Sequence, residues 1–316
     1  MAQSPRDHAQ EEIVAAFATL RDFFRYAVSR FNAAGLAYGH GTTNAVDEAA
    51  FLLLEGLRLP IDTLDPFLDA RLTHAERVRI LGLIEARVTT RRPAAYLVNR
   101  AYIQGEPFYV DERVIVPRSL IGELLFGGLI GPGALIEDVG AVTSALDLCA
   151  GGGSLAILAA RVFPNAEIDA VDLSAEALAV AARNVEAHDL GRRVHVYQGD
   201  LFAPLGARRY DVILTNPPYV ETAAMGAFPP EFAAEPSLAH DGGADGLAIV
   251  RRILRAAPDH LTRSGALICE VGGGRQRLEA EFPTSRLLWL DTEETEGEVF
   301  FARAADLAPP RRAKHR

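Results

Sequence analysis

Asn216-Pro217-Pro218-Tyr219, set directly behind the apolar run Tyr210-Asp211-Val212-Ile213-Leu214-Thr215, is the group of residues best suited to chemistry in this 316-residue chain. An Asn at the carboxyl end of a buried strand sits where open α/β sheets bind their ligands. The two prolines behind it lack N–H groups and stiffen an extended turn. The carbonyls of Asn216 and Pro217 can therefore point at a ligand, with Pro218 holding the turn and Tyr219 standing as a flat wall. This is a cradle for a planar group bearing an NH2. A carboxamide and the exocyclic amine of adenine both fit, because each offers two N–H donors to two acceptors while the nitrogen lone pair faces an electrophile.

Three further strand ends carry the signals of a nucleoside site. Asp147-Leu148-Cys149-Ala150-Gly151-Gly152-Gly153-Ser154 joins a strand to a helix, and Gly151 and Gly153 let the backbone turn sharply and approach a ligand. Alone, such a loop serves many nucleotides. The next strand ends in Asp172, about where an acid accepts hydrogen bonds from ribose hydroxyls. The one after ends in Gln198-Gly199-Asp200-Leu201-Phe202, where Asp200 can meet an adenine amine and Leu201 its face. No basic residue stands in the glycine loop to meet a phosphate. A ribose-bearing ligand without phosphates is favoured, which points to S-adenosyl-L-methionine rather than NAD. Taken singly, Asp172 or Asp200 also fits the lesser reading of a helix cap or a turn residue.

The elements that must position these residues follow from periodicity. From Glu11 to about Arg92 apolar residues recur at helical spacing, with Thr43 expected to cap a helix through residues 47–54 and Thr73 with Glu76 forming a capping box for the next. Residues 95–116 look β-like, as a hairpin that ends in Val116-Pro117-Arg118-Ser119. After a helix and a Gly131-Pro132-Gly133 break, strands and helices alternate, which requires a mostly parallel sheet. The expected strands are residues 145–149, 167–171, 194–198, 211–215 and 266–271, closed by an edge hairpin of 287–290 and 298–302. This divides the chain into a helical domain (1–94), a β-hairpin linker (95–118), a catalytic domain (119–307) and a disordered tail (308–316), with the loop 220–246 long enough to form a lid.

Composition narrows the function classes. At 49% hydrophobic, the chain can bury one full core and a smaller second one. The net charge of −10 and a pI near 5.3 speak against an autonomous duplex-DNA binder and suit a basic partner. Cys149 and Cys269 lie in apolar runs and are expected as small core residues rather than a disulfide, which suggests a reducing cytoplasm. No stretch is apolar enough to span a membrane, and the eight histidines show no metal-ligand spacing.

Together these residues resemble the class I methyltransferases that modify glutamine N5 in proteins, and within them the branch acting on the third large-subunit ribosomal protein. The resemblance spans nearly the whole chain. It rests on Thr43 to Pro60, Ala95-Tyr96-Leu97, Phe108 through Ser119, the glycine loop, the N-P-P-Y tetrad, Glu235-Pro236-Ser237-Leu238 with Gly242-Gly243-Ala244-Asp245-Gly246, and Gly297-Glu298-Val299-Phe300. N-P-P-Y alone is shared with adenine-N6 methyltransferases of nucleic acids. The Val116-Pro117-Arg118-Ser119 segment, where enzymes acting on release factors continue with acidic residues, is more discriminating. In the glycine loop Ala150 and Gly152 stand where the family usually has Thr and Ser.

The resemblance implies a Rossmann-like, seven-stranded catalytic domain using S-adenosyl-L-methionine. Asp147, Gly151, Gly153, Asp172, Asp200, Leu201 and Asn216 would hold the cofactor. Asn216 and Pro217 would accept the two hydrogens of a glutamine amide, and Pro218 and Tyr219 would complete its pocket. The implied substrate is a basic ribosomal protein recognised by the helical domain and hairpin, with no nucleic-acid substrate, metal or membrane involved. A release-factor glutamine methyltransferase is the nearest alternative, an adenine-N6 methyltransferase a second, and a cofactor-binding adaptor without activity a third.

Overall fold

The computed structural model describes residues 5–131, 133–293 and 295–307. The expected tail, 308–316, lies outside the described residues. The chain divides into two compact units, one comprising the chain up to Ala101 with Phe228–Ala234, the other Tyr102–Ala227 with the chain from Glu235 onward.

The first unit is helical: α1 (Pro5–Ala16), α2 (Leu20–Ala34), α3 (Ala45–Leu57), α4 (His74–Thr90) and α5 (Ala94–Val98). Side-chain caps set its boundaries. Thr73 and Glu76 form the expected box at α4, and Thr19 with Asp22 forms another that separates α2 from α1. The cap of α3 is Asn44 rather than Thr43. Its Oδ1 accepts the N–H groups of both Val46 and Asp47, at 2.9 and 3.0 Å, a reach that serves two of the orphan donors of the first turn. Leu20, Phe23, Phe31, Leu52, Leu53, Ile80 and Ile84 form the buried core.

One charged cluster is sealed within this unit. Arg87 is fully buried and donates through Nε to Glu48 at 2.7 Å and through Nη2 to the Ala37 carbonyl at 3.1 Å. Its Nη1 lies 3.5 Å from Glu231, which arrives on the short helix α9 (Pro230–Ala233) of the loop behind the tetrad. Glu231 also accepts the Ala37 N–H at 3.2 Å. Burial pushes the Glu48 carboxyl above its ordinary range against the pull of Arg87.

The hairpin is shorter than the β-like pattern suggested. Residues 94–98 form α5, which begins behind Pro93, a residue suited to a helix start because it needs no N–H partner there. Only β1 (Ala101–Ile103) and β2 (Glu106–Phe108) pair, around the left-handed Gln104 and Gly105. From Tyr109 to Pro117 the chain is extended or turned but forms no ladder, because its backbone is held by side chains instead. Asn184, for example, accepts the Tyr109 N–H and donates to its carbonyl.

The second unit then runs α6 (Leu120–Phe126), β3 (Ser144–Leu148), α7 (Ser154–Val162), β4 (Glu167–Asp172), α8 (Ala175–Ala187), β5 (Val194–Gln198) and β6 (Tyr210–Thr215). It continues past α9 with α10 (Ala248–His260), β7 (Leu261–Glu270), α11 (Arg275–Glu281), β8 (Leu288–Asp291), β9 (Glu296–Arg303) and α12 (Ala304–Leu307). The expected strands all form. Their order is β5-β4-β3-β6-β7-β9-β8, parallel except for β9, which runs antiparallel to both neighbours. Alternation along each strand splits the interior into two cores. Ala145, Val212, Leu214, Ala266 and Ile268 face α6 and α7; Leu146, Leu148, Ile213, Leu267 and Cys269 face α10 and α11.

Arg87→Met should destabilise the protein by about 3–5 kcal/mol, because the Glu48 carboxylate would stay buried without its cationic partner, while Glu231 keeps Arg91 at 2.8 Å. Urea unfolding of both proteins measures this. A loss below about 1 kcal/mol would mean that the cluster behaves as a solvated pair.

Candidate active site

The parallel register brings the ends of β4, β3, β6 and β7 to one level. Leu148 pairs with Val171 on one side and Thr215 on the other, Thr215 pairs with Cys269, and Asp172 pairs with Gln198. The Thr215 hydroxyl donates to the Leu148 carbonyl at 2.9 Å and ties two of these ends together. Between β3 and β6 the strand order reverses. The connections leaving there diverge and leave a crevice, the usual ligand site of such sheets.

Asp147, Gly151 and Asn216 line that crevice, with Val116, Ser119 and Asn184 from neighbouring segments. Gly151 adopts φ +53° with open space where a Cβ would stand, so its role is to turn the backbone and leave room. Gly153, at φ +79°, serves packing instead: its Cβ would come within 3.1 Å of Ala181 on α8. Cys269 is buried as expected, but Cys149 is only half-buried. It stands just past β3 at φ +59°, packs against the core shared by Leu148 and Cys269, and also lines the crevice.

Asp147 is buried with one oxygen unpaired. Its residue is 1% exposed; Oδ2 accepts the Ala156 N–H at 2.9 Å, and Oδ1 has no hydrogen-bond partner. Burial pushes its carboxyl up to about 8. Asp172 sits at the end of β4 and holds the loop: its two oxygens accept the N–H groups of Gly151 and Ser174, both at 2.8 Å. Burial raises its pKa as well, opposed by those bonds. Asp200 is half exposed and paired with Arg252 at 2.7 Å, and its neighbour Leu201 is buried in a left-handed conformation at φ +52°.

In the tetrad, Pro217 is buried and Asn216 and Tyr219 are half-buried. Among the described residues, no hydrogen bond engages the Asn216 side chain, and no turn or loop bond is accepted by the Pro217 carbonyl. Two carbonyl acceptors just past β6 are thus uncommitted, and Asn216 lines the crevice. Tyr219 donates its hydroxyl to Glu270 at 3.1 Å, and burial drives its own ionisation far above the ordinary range.

The structure also supplies two residues that the sequence motifs did not single out, Asn184 and Glu270, and gives the motif residue Glu235 its partners. Asn184, buried on α8, donates to the Gly152 carbonyl at 2.8 Å and so couples the glycine loop to Tyr109. Glu235 accepts the Val116 N–H at 2.8 Å and both Arg118 Nη atoms, at 2.7 and 2.6 Å. Glu270 ends β7 ahead of Gly272-Gly273-Gly274, the same pattern of an acid at a strand end before glycines that marked the other sites. The loop 220–246 is braced at two points. A bridge joins Val220 to Asp241, and Glu235 pins its middle.

Residues 130–228 match the family model of the methyltransferase small domain. The ribosomal protein uL3 glutamine methyltransferase of Bradyrhizobium diazoefficiens is 62% identical over 92% of this chain and 92% of its own length. Its counterpart from Bordetella pertussis is 56% identical over 89% of this chain and 93% of its own. A solved ribosomal protein L11 methylase from Lactobacillus delbrueckii subsp. bulgaricus is similar over 50% of this chain and 67% of its own, at 17% identity and a TM-score of 0.35.

A carboxyl with its pKa raised from 3.8 to about 8 favours the folded state when protonated. That contribution is fully present below the unfolded value and is lost as pH rises through the folded one. Asp147→Asn should therefore gain stability relative to the parent between pH 5 and 8.5, on the order of a few kcal/mol. Thermal unfolding of ligand-free proteins at the two pH values tests this, and a constant difference would contradict it.

Proposed function

This chain belongs to the ribosomal protein uL3 glutamine methyltransferases, and on that premise we propose that the crevice holds S-adenosyl-L-methionine beside an acceptor amide gripped by Asn216 and Pro217. The enzyme methylates the side-chain nitrogen of a glutamine in a large-subunit ribosomal protein, with uL3 as its substrate. The observation that carries the assignment of roles is the pair of uncommitted acceptors, the Asn216 amide oxygen and the Pro217 carbonyl, at the one rim where four strand ends meet.

The residues present suit the cofactor. The unpartnered, buried Oδ1 of Asp147 fits the cation of an amino-acid moiety, Gly151 leaves space beside the loop, and the lone pairs that remain on Asp172 suit ribose hydroxyls. When bound, the cofactor supplies an electrophilic methyl on a sulfonium.

Asn216 and Pro217 act on the acceptor. An amide nitrogen is a poor nucleophile because its lone pair is delocalised into the carbonyl. Two acceptors drawing on its two hydrogens favour a more tetrahedral nitrogen with the pair turned toward the crevice, so positioning carries much of the rate. Pro218 keeps the turn extended, and the Tyr219 ring closes one side of the amide against water. No general base is needed before transfer, since alkylation itself acidifies the nitrogen. Substrate recognition falls to the helical unit, which keeps the C-terminal unit for chemistry. The acidic balance of −10 suits a basic partner met through complementary charge.

Asn216→Ala should keep cofactor affinity within about threefold and lower methyl transfer to uL3 by about 100-fold or more, because the lost contact acts on the acceptor. Calorimetry beside a labelled-cofactor assay separates the two effects. Near-normal turnover would sink the role given to Asn216, and transfer to a release factor or to adenine in DNA in preference to uL3 would overturn the acceptor.

Asp172→Ala should weaken cofactor binding by about 1.5–3 kcal/mol, as expected for lost bonds to a charged acceptor. Unchanged affinity would leave Asp172 as a brace for Gly151 and Ser174 only.

A further inference from the structure

Tyr219 is fixed by a buried acid that the transfer chemistry does not otherwise use. Glu270, 2% exposed, has both oxygens engaged: Oε1 accepts the Tyr219 hydroxyl at 3.1 Å, and Oε2 accepts the Ser119 hydroxyl at 2.8 Å and the Leu120 N–H at 3.0 Å. One carboxylate thus joins the tetrad, the end of β7 and the start of α6. The ring and backbone of Tyr219 are confined as well. A Cβ at Gly272 would lie 2.9 Å from Cδ2 and Cε2 of the ring, and Cβ atoms at Gly242 and Gly246 would collide with the Tyr219 Cα and carbonyl oxygen.

A ring that only excluded water would need no hydroxyl. Burying a carboxylate to receive that hydroxyl carries a desolvation cost, visible in the raised pKa of Glu270, and Glu298 beside it adds to that cost. What the arrangement secures is the plane of the ring. Displacements of about 1 Å at a reacting centre cost turnover far more than they cost binding.

Resting on the reading that Tyr219 walls the acceptor amide, we propose that Glu270 is a positioning residue for methyl transfer, holding the Tyr219 ring through the Ser119–Glu270–Tyr219 chain and setting turnover rather than cofactor binding. The test uses the full-length enzyme with purified uL3 and labelled cofactor. Tyr219→Phe, which keeps the ring and removes only its tether, and Glu270→Ala should each lower kcat by about tenfold. KM for uL3 and the cofactor Kd should stay within about threefold. The double variant should lose no more than the worse single one, because the two residues act as a unit.

Glu270→Gln can accept the Leu120 N–H and donate to the Tyr219 oxygen, and should recover at least half of the parent kcat. Parent-like kcat in Tyr219→Phe or in Glu270→Ala overturns the proposal, as do multiplicative losses in the double variant. Should Glu270→Ala fail to fold, loss in Tyr219→Phe with recovery in Glu270→Gln supports it. Asn216→Ala separates the levels: its inactivity beside an unimpaired Tyr219→Phe removes only the role of Glu270, whereas its normal turnover removes the reading of the tetrad.

Discussion

The parallel pairing that sets Leu148 level with both Val171 and Thr215 is the constraint on which the site depends. A shift of one residue in any of these strands would turn its side chains to the opposite face and move its terminal residue off the rim. The hydrophobic alternation resists this. Leu146 and Leu148 belong to one core, Ala145 to the other, and the same division holds for Ile213 against Val212 and Leu214. Burial on both faces thus fixes where Asn216 emerges, and the Thr215 hydroxyl bond to Leu148 secures the last step before it.

At that rim the protein accumulates carboxyl groups whose burial is unfavourable by itself. Asp147, Asp172 and Glu270 all have raised pKa values, and each is offset by backbone N–H donors of the loop or helix it supports: Ala156, Gly151 with Ser174, and Leu120. These acids are therefore braces as well as candidate ligand contacts. Asp147 differs from the other two in keeping one oxygen without a partner. A buried oxygen without a partner is unfavourable by itself, and a donor that reached it would relieve that cost.

The sheet was legible in the sequence because buried parallel strands are short apolar runs, and Asp147, Asp172 and Asn216 stood out because polar residues end those runs. Glu270 has the same form and escaped attention because its partners, Ser119 and Tyr219, are 151 and 51 residues away. Asn184 was hidden for a similar reason. It lies mid-helix on α8, where an Asn reads as a surface residue, and only the fold turns it toward Gly152 and Tyr109. The region 95–116 misled in the other direction. Its β-branched and aromatic residues suit a strand, but β-propensity reports packing on a half-buried surface, and outside the short β1–β2 pair that surface was met without a ladder.

Three of the motif segments that carry the resemblance also join in one physical network within the C-terminal unit. Glu235 of Glu235-Pro236-Ser237-Leu238 clamps Arg118 and the Val116 N–H, while Ser119, the next residue, bonds Glu270, which holds Tyr219. Ser119 also caps α6 by accepting the Ile121 N–H at 3.2 Å. A hydroxyl can donate to one group and accept from another at once, and both uses are needed here. An acidic side chain at position 119 could supply the cap but would set a second carboxylate against Glu270 and could not donate to it. The Ser that distinguishes this segment is therefore matched to the acid buried behind the tetrad, which it caps with a donated hydroxyl while serving α6 as an acceptor.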